Sequence, residues 1–336
     1  MNLTQPISGV SHAQRPREYS IEVNNLVKTY DTVRAVEGVN LRVEKGQIYA
    51  LLGPNGAGKT TTINILTTLV LPTSGNARVA GLDVVKQAAE VRRRIGVTFQ
   101  ETVLDKSLSG RVLLDVHGRL YQLPKAEIKT RTEELVKMVE LEEAIDRPVK
   151  TYSGGMKRRL ELARGLMTHP EVLFLDEPTL GLDPQNRDRI WVYIERLKIE
   201  TGLTILVTTH YMDEAEKLAD RVGIIDGGKI VAEGTPTELI GAMGADVVKV
   251  SGTGGRERFV EALQRQEWVS FVGTLQLDAT TLVQDVQIGL KTQAGRSLKP
   301  IIDLAEKCEF SVVDISIKRP SLNDVFLKHT GRRLRD

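Results

Sequence analysis

Gly53-Pro54-Asn55-Gly56-Ala57-Gly58-Lys59-Thr60 constrains this chain more than any other stretch, because it fits the phosphate-cradling pattern G-x-x-x-x-G-K-[S/T]. A loop that wraps a polyphosphate must turn successive backbone N–H groups inward. Gly53, Gly56 and Gly58 permit backbone angles and a close approach that a Cβ would obstruct. Lys59 supplies a point charge for the phosphates and Thr60 a hydroxyl for Mg²⁺, while a helix starting there aims the positive end of its dipole at the same anion. The flanks agree with this order of strand, loop and helix. Ile48-Tyr49-Ala50-Leu51-Leu52 is an apolar run suited to a strand buried on both faces, and Ile63, Leu66 and Leu69 recur at helical spacing. Taken alone, the stretch says only that the chain binds a nucleoside triphosphate.

A length of 336 residues suggests a large domain with a smaller second one. Basic and acidic residues number 46 and 44, a near-neutral balance that argues against a nucleic-acid partner. A single cysteine, Cys308, excludes an intrachain disulfide and fits a reducing compartment. No apolar run approaches the roughly 20 residues that span a bilayer, so any membrane involved must be spanned by another chain.

Residues 1–18 lack periodicity and read as a flexible leader. From Ile21 to about Val43 the alternation predicts a small antiparallel sheet. Tyr30, at the end of its first strand, suits either stacking on a base or edge packing. A helix is expected through Val84, Val85, Ala88 and Val91, then a core strand over 95–99 ending on Gln100. By position alone Gln100 reads first as a loop residue, although the ends of such strands are where ligands sit in open α/β sheets. Residues 109–167 carry a helical signal. Within them Ser153 is a good N-cap before Gly154 and Gly155, which reads as a capped helix after a turn or as a second anion-ready helix N-terminus.

Val172-Leu173-Phe174-Leu175 leads into Asp176-Glu177, and in phosphate-loop NTPases an aspartate at such a strand end helps hold Mg²⁺. Neighbouring side chains on extended backbone point to opposite sides, so Asp176 can serve the metal shell while Glu177 reaches an attacking water. A turn at 181–184 starts another helix, and the strand over 204–209 delivers His210 to the same edge. A hairpin around Gly227-Gly228 and a capping box at Thr235-Pro236-Thr237-Glu238 follow. After residue 244 the pattern changes to β-α-β-β-α-β, a small α+β unit of ferredoxin-like type, with Cys308 expected as a small buried hydrophobe on its second helix. Arg332, Arg333 and Arg335 form a basic tail.

In this order and spacing the motifs resemble the nucleotide-binding subunit of an ATP-binding cassette (ABC) transporter over about residues 21–239. The resemblance implies an α/β P-loop NTPase at 19–240, with an antiparallel β subdomain, a RecA-like core and a helical subdomain near 101–167, followed by an accessory domain at 245–331. It implies ATP held by Tyr30, Gly53, Pro54, Asn55, Gly56, Ala57, Gly58, Lys59, Thr60 and Thr61, and Mg²⁺ held by Thr60, Gln100 and Asp176. It also implies Glu177 as catalytic base, His210 as γ-phosphate switch and Gln100 as a third group at the reaction. Ser153, Gly154 and Gly155 of one subunit would cap the ATP of another, so this chain would pair with its own copy or a relative. The family's usual Leu-Ser-Gly-Gly-Gln reads Tyr152-Ser153-Gly154-Gly155-Met156 here, which removes the glutamine side chain. That variant, with Pro320-Ser321-Leu322-Asn323-Asp324-Val325-Phe326-Leu327 and Thr330-Gly331-Arg332, resembles the daunorubicin-resistance branch of exporters. Those work with a separate six-helix membrane subunit. The implied function is ATP-driven export of drugs or other hydrophobic compounds from the inner face of the cell membrane. The alternative is a soluble ATPase of the same family in regulation, repair or translation; neither a long coiled-coil interruption nor a second cassette is present.

Overall fold

The computed structural model describes residues 18–101, 104–274, 284–291 and 293–330. Residues 1–17 of the expected leader over 1–18, the tail with Arg332, Arg333 and Arg335, and the segment 275–283, where two expected strands meet, lie outside those residues.

The expected apolar runs form one layer. Strands Ile48–Leu52, Thr204–Thr209, Val172–Asp176 and Ile95–Thr98 lie parallel in that spatial order, and the hairpin Arg221–Asp226 with Lys229–Gly234 extends the sheet beyond Ile48–Leu52. Ile48, Ala50 and Leu52 enter one core, Tyr49 and Leu51 the other; Leu173 and Leu175 likewise oppose Val172 and Phe174. A strand with a core on each face leaves little room for polar side chains, which is why these runs are continuous rather than alternating. Register then sets the functional edge. Leu52 pairs with Thr209 and Asp176 with Thr208, so Gly53, Glu177 and His210 all leave the sheet at neighbouring positions.

One face is covered by the helix Lys59–Leu66 and by an antiparallel sheet of Val33–Glu44, Tyr19–Tyr30, Ser74–Val79 and Leu82–Asp83. The other is covered by helices Gly110–Leu120, Lys125–Met138, Gly154–Leu166 and Pro184–Thr201, which contribute Leu114, Leu135, Leu160 and Ile190. Two local expectations are corrected. The helix after the phosphate loop stops at Leu66, because Thr67 turns its hydroxyl back to Ile63 O and Thr68 adopts φ +67°, which leaves Leu69 57% exposed. The next helix starts only at Ala88: the Asp83 carboxylate accepts from the N–H groups of Val85 and Lys86, and that local turn competes with helix.

In the C-terminal part the strands lie in the order Val269–Thr274, Gln284–Leu290, Asp246–Gly254, Phe310–Lys318, all antiparallel. Helices Arg256–Gln264 and Leu298–Lys307 cover one face, so the topology is the ferredoxin-like one. Cys308 caps the second helix, half-buried against that core. A helix absent from the sequence reading, Leu322–Thr330, closes the described chain. It buries Leu322, Val325 and Phe326 among residues of the nucleotide-binding body, including Leu239 and Met243, and its first N–H donates to Glu216.

Candidate active site

The phosphate loop is built where side chains cannot fit. A Cβ on Gly53 would stand 2.4 Å from Ile225 O, and one on Gly58, at φ +108°, 2.4 Å from Ala35 O. Gly58 also caps the helix Lys59–Leu66, whose first turn has neither a side-chain cap nor an acidic residue. Its N–H groups are therefore left for an anion. Asn55, Gly56 and Thr60 are exposed, Pro54 and Thr61 half-buried, and Ala57 buried beneath them.

Lys59 Nζ donates to Gly53 O at 2.8 Å and Pro54 O at 3.2 Å, and pairs with Glu177 Oε1 at 3.1 Å. Glu177 Oε2 lies 3.1 Å from His210 Nδ1. Burial alone would raise the Glu177 carboxyl, but the hydrogen bond from His210 and the charge and hydrogen bond of Lys59 bring it below the ordinary range. At neutral pH it is a carboxylate, the form a general base requires. Glu177 itself sits at φ +46°, a left-handed conformation that costs a non-glycine residue on the order of 1–3 kcal/mol.

Thr208, not singled out from the sequence, holds that conformation. Its hydroxyl donates to Asp176 Oδ1 and accepts from the Glu177 N–H, so one side chain fixes both acids. Asp176 is 1% exposed. The hydroxyl of Thr60, the carboxylate of Asp176 and the amide of Gln100 are hard oxygen donors of the type Mg²⁺ takes. Among the described residues no group of three or more His, Cys, Asp or Glu could hold a metal by itself. Gln100 is exposed just past the strand Ile95–Thr98, and Tyr30 is 43% exposed at a hairpin tip with Lys28 Nζ 4.8 Å above its ring. Among the described residues, no hydrogen bond or ion pair joins either of them to the Lys59–Glu177–His210 cluster.

Ser153, exposed, accepts from Met156 N at 3.2 Å and caps the helix Gly154–Leu166, again without an acid in its first turn. Tyr152 is buried, its hydroxyl on Ala144 O. Met156 turns partly into the core, so the thioether takes an apolar place rather than a donor's. Arg158 was also missed in the sequence. Its buried guanidinium donates to the carbonyls of Phe99, Asp176, Glu177 and Pro178 and to Glu161, tying this helix to the acid pair and to the strand end before Gln100. The only signal was an arginine on an otherwise core-facing helix side, too common to single out.

A family model described as ABC transporter matches residues 36–180. The chain is 38% identical to the daunorubicin resistance ATP-binding protein DrrA3 of Streptomyces coeruleorubidus, over 94% of this chain and 98% of that one. It is 36% identical to the linearmycin resistance ATP-binding protein LnrL of Bacillus subtilis, over 94% and 100%. Among solved structures it resembles the dimeric ATP-binding cassette MJ0796 in a post-hydrolysis state bound to ADP and Pi, with TM-score 0.59 and 28% identity over 64% of this chain and 98% of that one. Phosphate loop, strand-end acids and fold agree with that kinship, and the chain belongs to the ABC transporter family, as an ATP-hydrolysing subunit of the branch that holds the daunorubicin-resistance ATP-binding proteins.

Proposed function

We propose that this chain is the motor of an exporter: two copies, or this chain and a relative, close around two ATP molecules and drive a separate membrane permease. The observation that carries the reading is the Glu177 carboxylate, held ionised between Lys59 and His210 at the strand edge beside the phosphate loop. Glu177 takes the proton of the attacking water, His210 holds the γ-phosphate end, and Lys59 and the loop N–H groups position the phosphates. Thr60, Asp176 and Gln100 hold Mg²⁺, which when bound neutralises charge developing on the phosphates. Tyr30 stacks on the adenine. Ser153, Gly154 and Gly155 reach the nucleotide of the partner subunit.

Val112, Val116 and Leu120, four residues apart and exposed, form an apolar stripe on the helix Gly110–Leu120. Beside it, a cleft of about 220 Å³ opens between helical insertion and core, lined by Leu69, Phe99, His117 and Tyr121 among others. These suit the docking of an apolar segment of the permease. No helix among the described residues is long and apolar enough to cross a membrane, and the motor works from the inner face. The exported class is drugs or other hydrophobic compounds, as with the relatives named for daunorubicin and linearmycin resistance. The test is purification of the tagged chain from membranes. A polytopic chain should accompany it and be lost with Val116→Asp; recovery of the ATPase alone would leave the exporter reading without support.

A further inference from the structure

Glu214 lies on the short helix Met212–Leu218 just past His210, 3% exposed, and has no part in the chemistry above. Its two oxygens hold two different segments. Oε1 accepts from Thr179 Oγ1 at 2.8 Å, and Oε2 accepts from Thr209 Oγ1 at 2.8 Å. Thr179 follows Glu177 by two residues and leads into the turn at 180–183, where Leu180 is 41% exposed; Asp183 then caps the helix Pro184–Thr201. Thr209 directly precedes His210, and its hydroxyl also accepts from Tyr211 N at 2.9 Å. The residues on both sides of His210 are thus anchored to one buried carboxylate. Arg187, from the helix after the turn, lies 3.5 Å from Glu214 Oε1 and 4.1 Å above the Tyr211 ring. The Tyr211 ring in turn lies 4.1 Å from that of His210.

We propose that Glu214 is a positioning residue for ATP hydrolysis: by holding Thr179 and Thr209 on one carboxylate, it fixes the segment that carries Glu177 against the one that carries His210. The geometry forms a closed ring, from Glu177 through Thr179, Glu214 and Thr209 to His210 and back to Glu177. A buried carboxylate is costly unless fully hydrogen-bonded or paired; here two hydroxyls and a guanidinium offset part of that cost, and burial still holds the Glu214 carboxyl above its ordinary range. Moving either loop alone would strand the carboxylate, so the two move together. This rests on the reading of Glu177 as base and His210 as switch.

The experiment measures steady-state ATP hydrolysis and equilibrium ATP binding on the purified full chain. Glu214→Ala should lower kcat about 10- to 100-fold with ATP affinity within about threefold of the parent, because Lys59 and its loop stand outside the ring. Glu214→Gln, whose amide can accept from one threonine and donate to the other, should recover most of that loss. The double variant with Thr179→Val should fall no further than Glu214→Ala alone. A folded Glu214→Ala with kcat within about twofold of the parent, or losses that multiply in the double variant, would overturn the proposal. Should Glu214→Ala fail to fold, Thr179→Val, which removes a single hydroxyl, decides: unchanged kcat overturns the proposal. Glu177→Gln is the control. If it hydrolyses ATP at the parent rate, the base reading fails; if it is inactive while the Glu214 and Thr179 variants are not, only the positioning role fails.

Discussion

Lys59 Nζ and Glu177 Oε1 stand 3.1 Å apart with their side chains 4% and 6% exposed, so the cation of the phosphate loop and the carboxylate of the neighbouring strand end are each other's counter-ion. Neither charge would be stable there alone. With Lys59 and Glu177 in the proposed roles, the pair makes nucleotide binding and base strength interdependent.

Glu177→Gln keeps the shape and leaves an amide to meet His210 and Lys59, but it cannot take a proton. ATP turnover should drop by about 10²- to 10⁴-fold, while ATP binding persists and an ATP-dependent dimer accumulates. Size-exclusion chromatography with and without ATP checks the dimer, and phosphate release checks the rate.

Lys59→Met removes the counter-ion and the donor to Gly53 O and Pro54 O. Loss of one partner of a buried pair costs on the order of 3 kcal/mol, and ATP affinity should fall at least about tenfold by the loss of a charge-assisted phosphate contact. The sign of the pH effect follows from the depressed Glu177 carboxyl. Its contribution to stability is present above the unfolded carboxyl pKa and is lost as pH falls through the lower folded one. With Lys59 gone the folded pKa rises toward the unfolded one, so the two states bind protons more alike and the acid-side loss from Glu177 should be smaller than in the parent. Denaturant titrations across pH 3–6 would reveal this, and superimposable profiles would contradict it.

His117 lines the cleft beside the helical insertion, and burial, with Arg164 nearby, presses its pKa down from 6.5 to about 4. Between those values the unfolded chain binds the extra proton, so stability is complete above about pH 6.5 and is lost as pH falls toward 4. The full loss is about 3 kcal/mol, of which about 2 kcal/mol falls between pH 7 and pH 5. His117→Gln should flatten it, seen as a smaller drop in denaturation midpoint between pH 7 and pH 5.

Gly154→Ala separates the fold from the interface. A Cβ there would meet only Leu182 Cδ2 at 3.8 Å, an ordinary contact, whereas one on Gly155 would press on Asn186 at 2.6 Å. Alanine at Gly154 should leave the melting temperature unchanged or slightly raised, by roughly 0.5–1 kcal/mol of helix propensity. Its ATPase rate should nonetheless fall at least about tenfold, because in the proposed dimer the added methyl would stand where the partner's nucleotide approaches. Full activity would remove Gly154 from the site.

The phosphate loop, the acid pair, the Ser153 cap and the capping box at Thr235 and Glu238 were legible because each is a local matter. They rest on backbone angles only glycine takes freely, on an apolar run ending in an acid, or on a side chain closing over its own helix turn. The continuity of the apolar runs likewise foretold strands with a core on both faces. What the residues at Thr208, Arg158 and Glu214 do was not legible, since each acts on groups 18 to 59 positions away along the chain or through a neighbour strand. Nor did periodicity tell that Leu114 would be buried while Val112, Val116 and Leu120 face outward, or that the helix Leu322–Thr330 would return to the nucleotide-binding body. Amino-acid pattern alone determined which segments form strands, caps and cradles, because those follow from each segment's own sterics and hydrogen bonding. Tertiary structure decided which of them meet, because strand order and register depend on burying surfaces from distant segments together, and the Lys59–Glu177–His210 cluster exists only at that register.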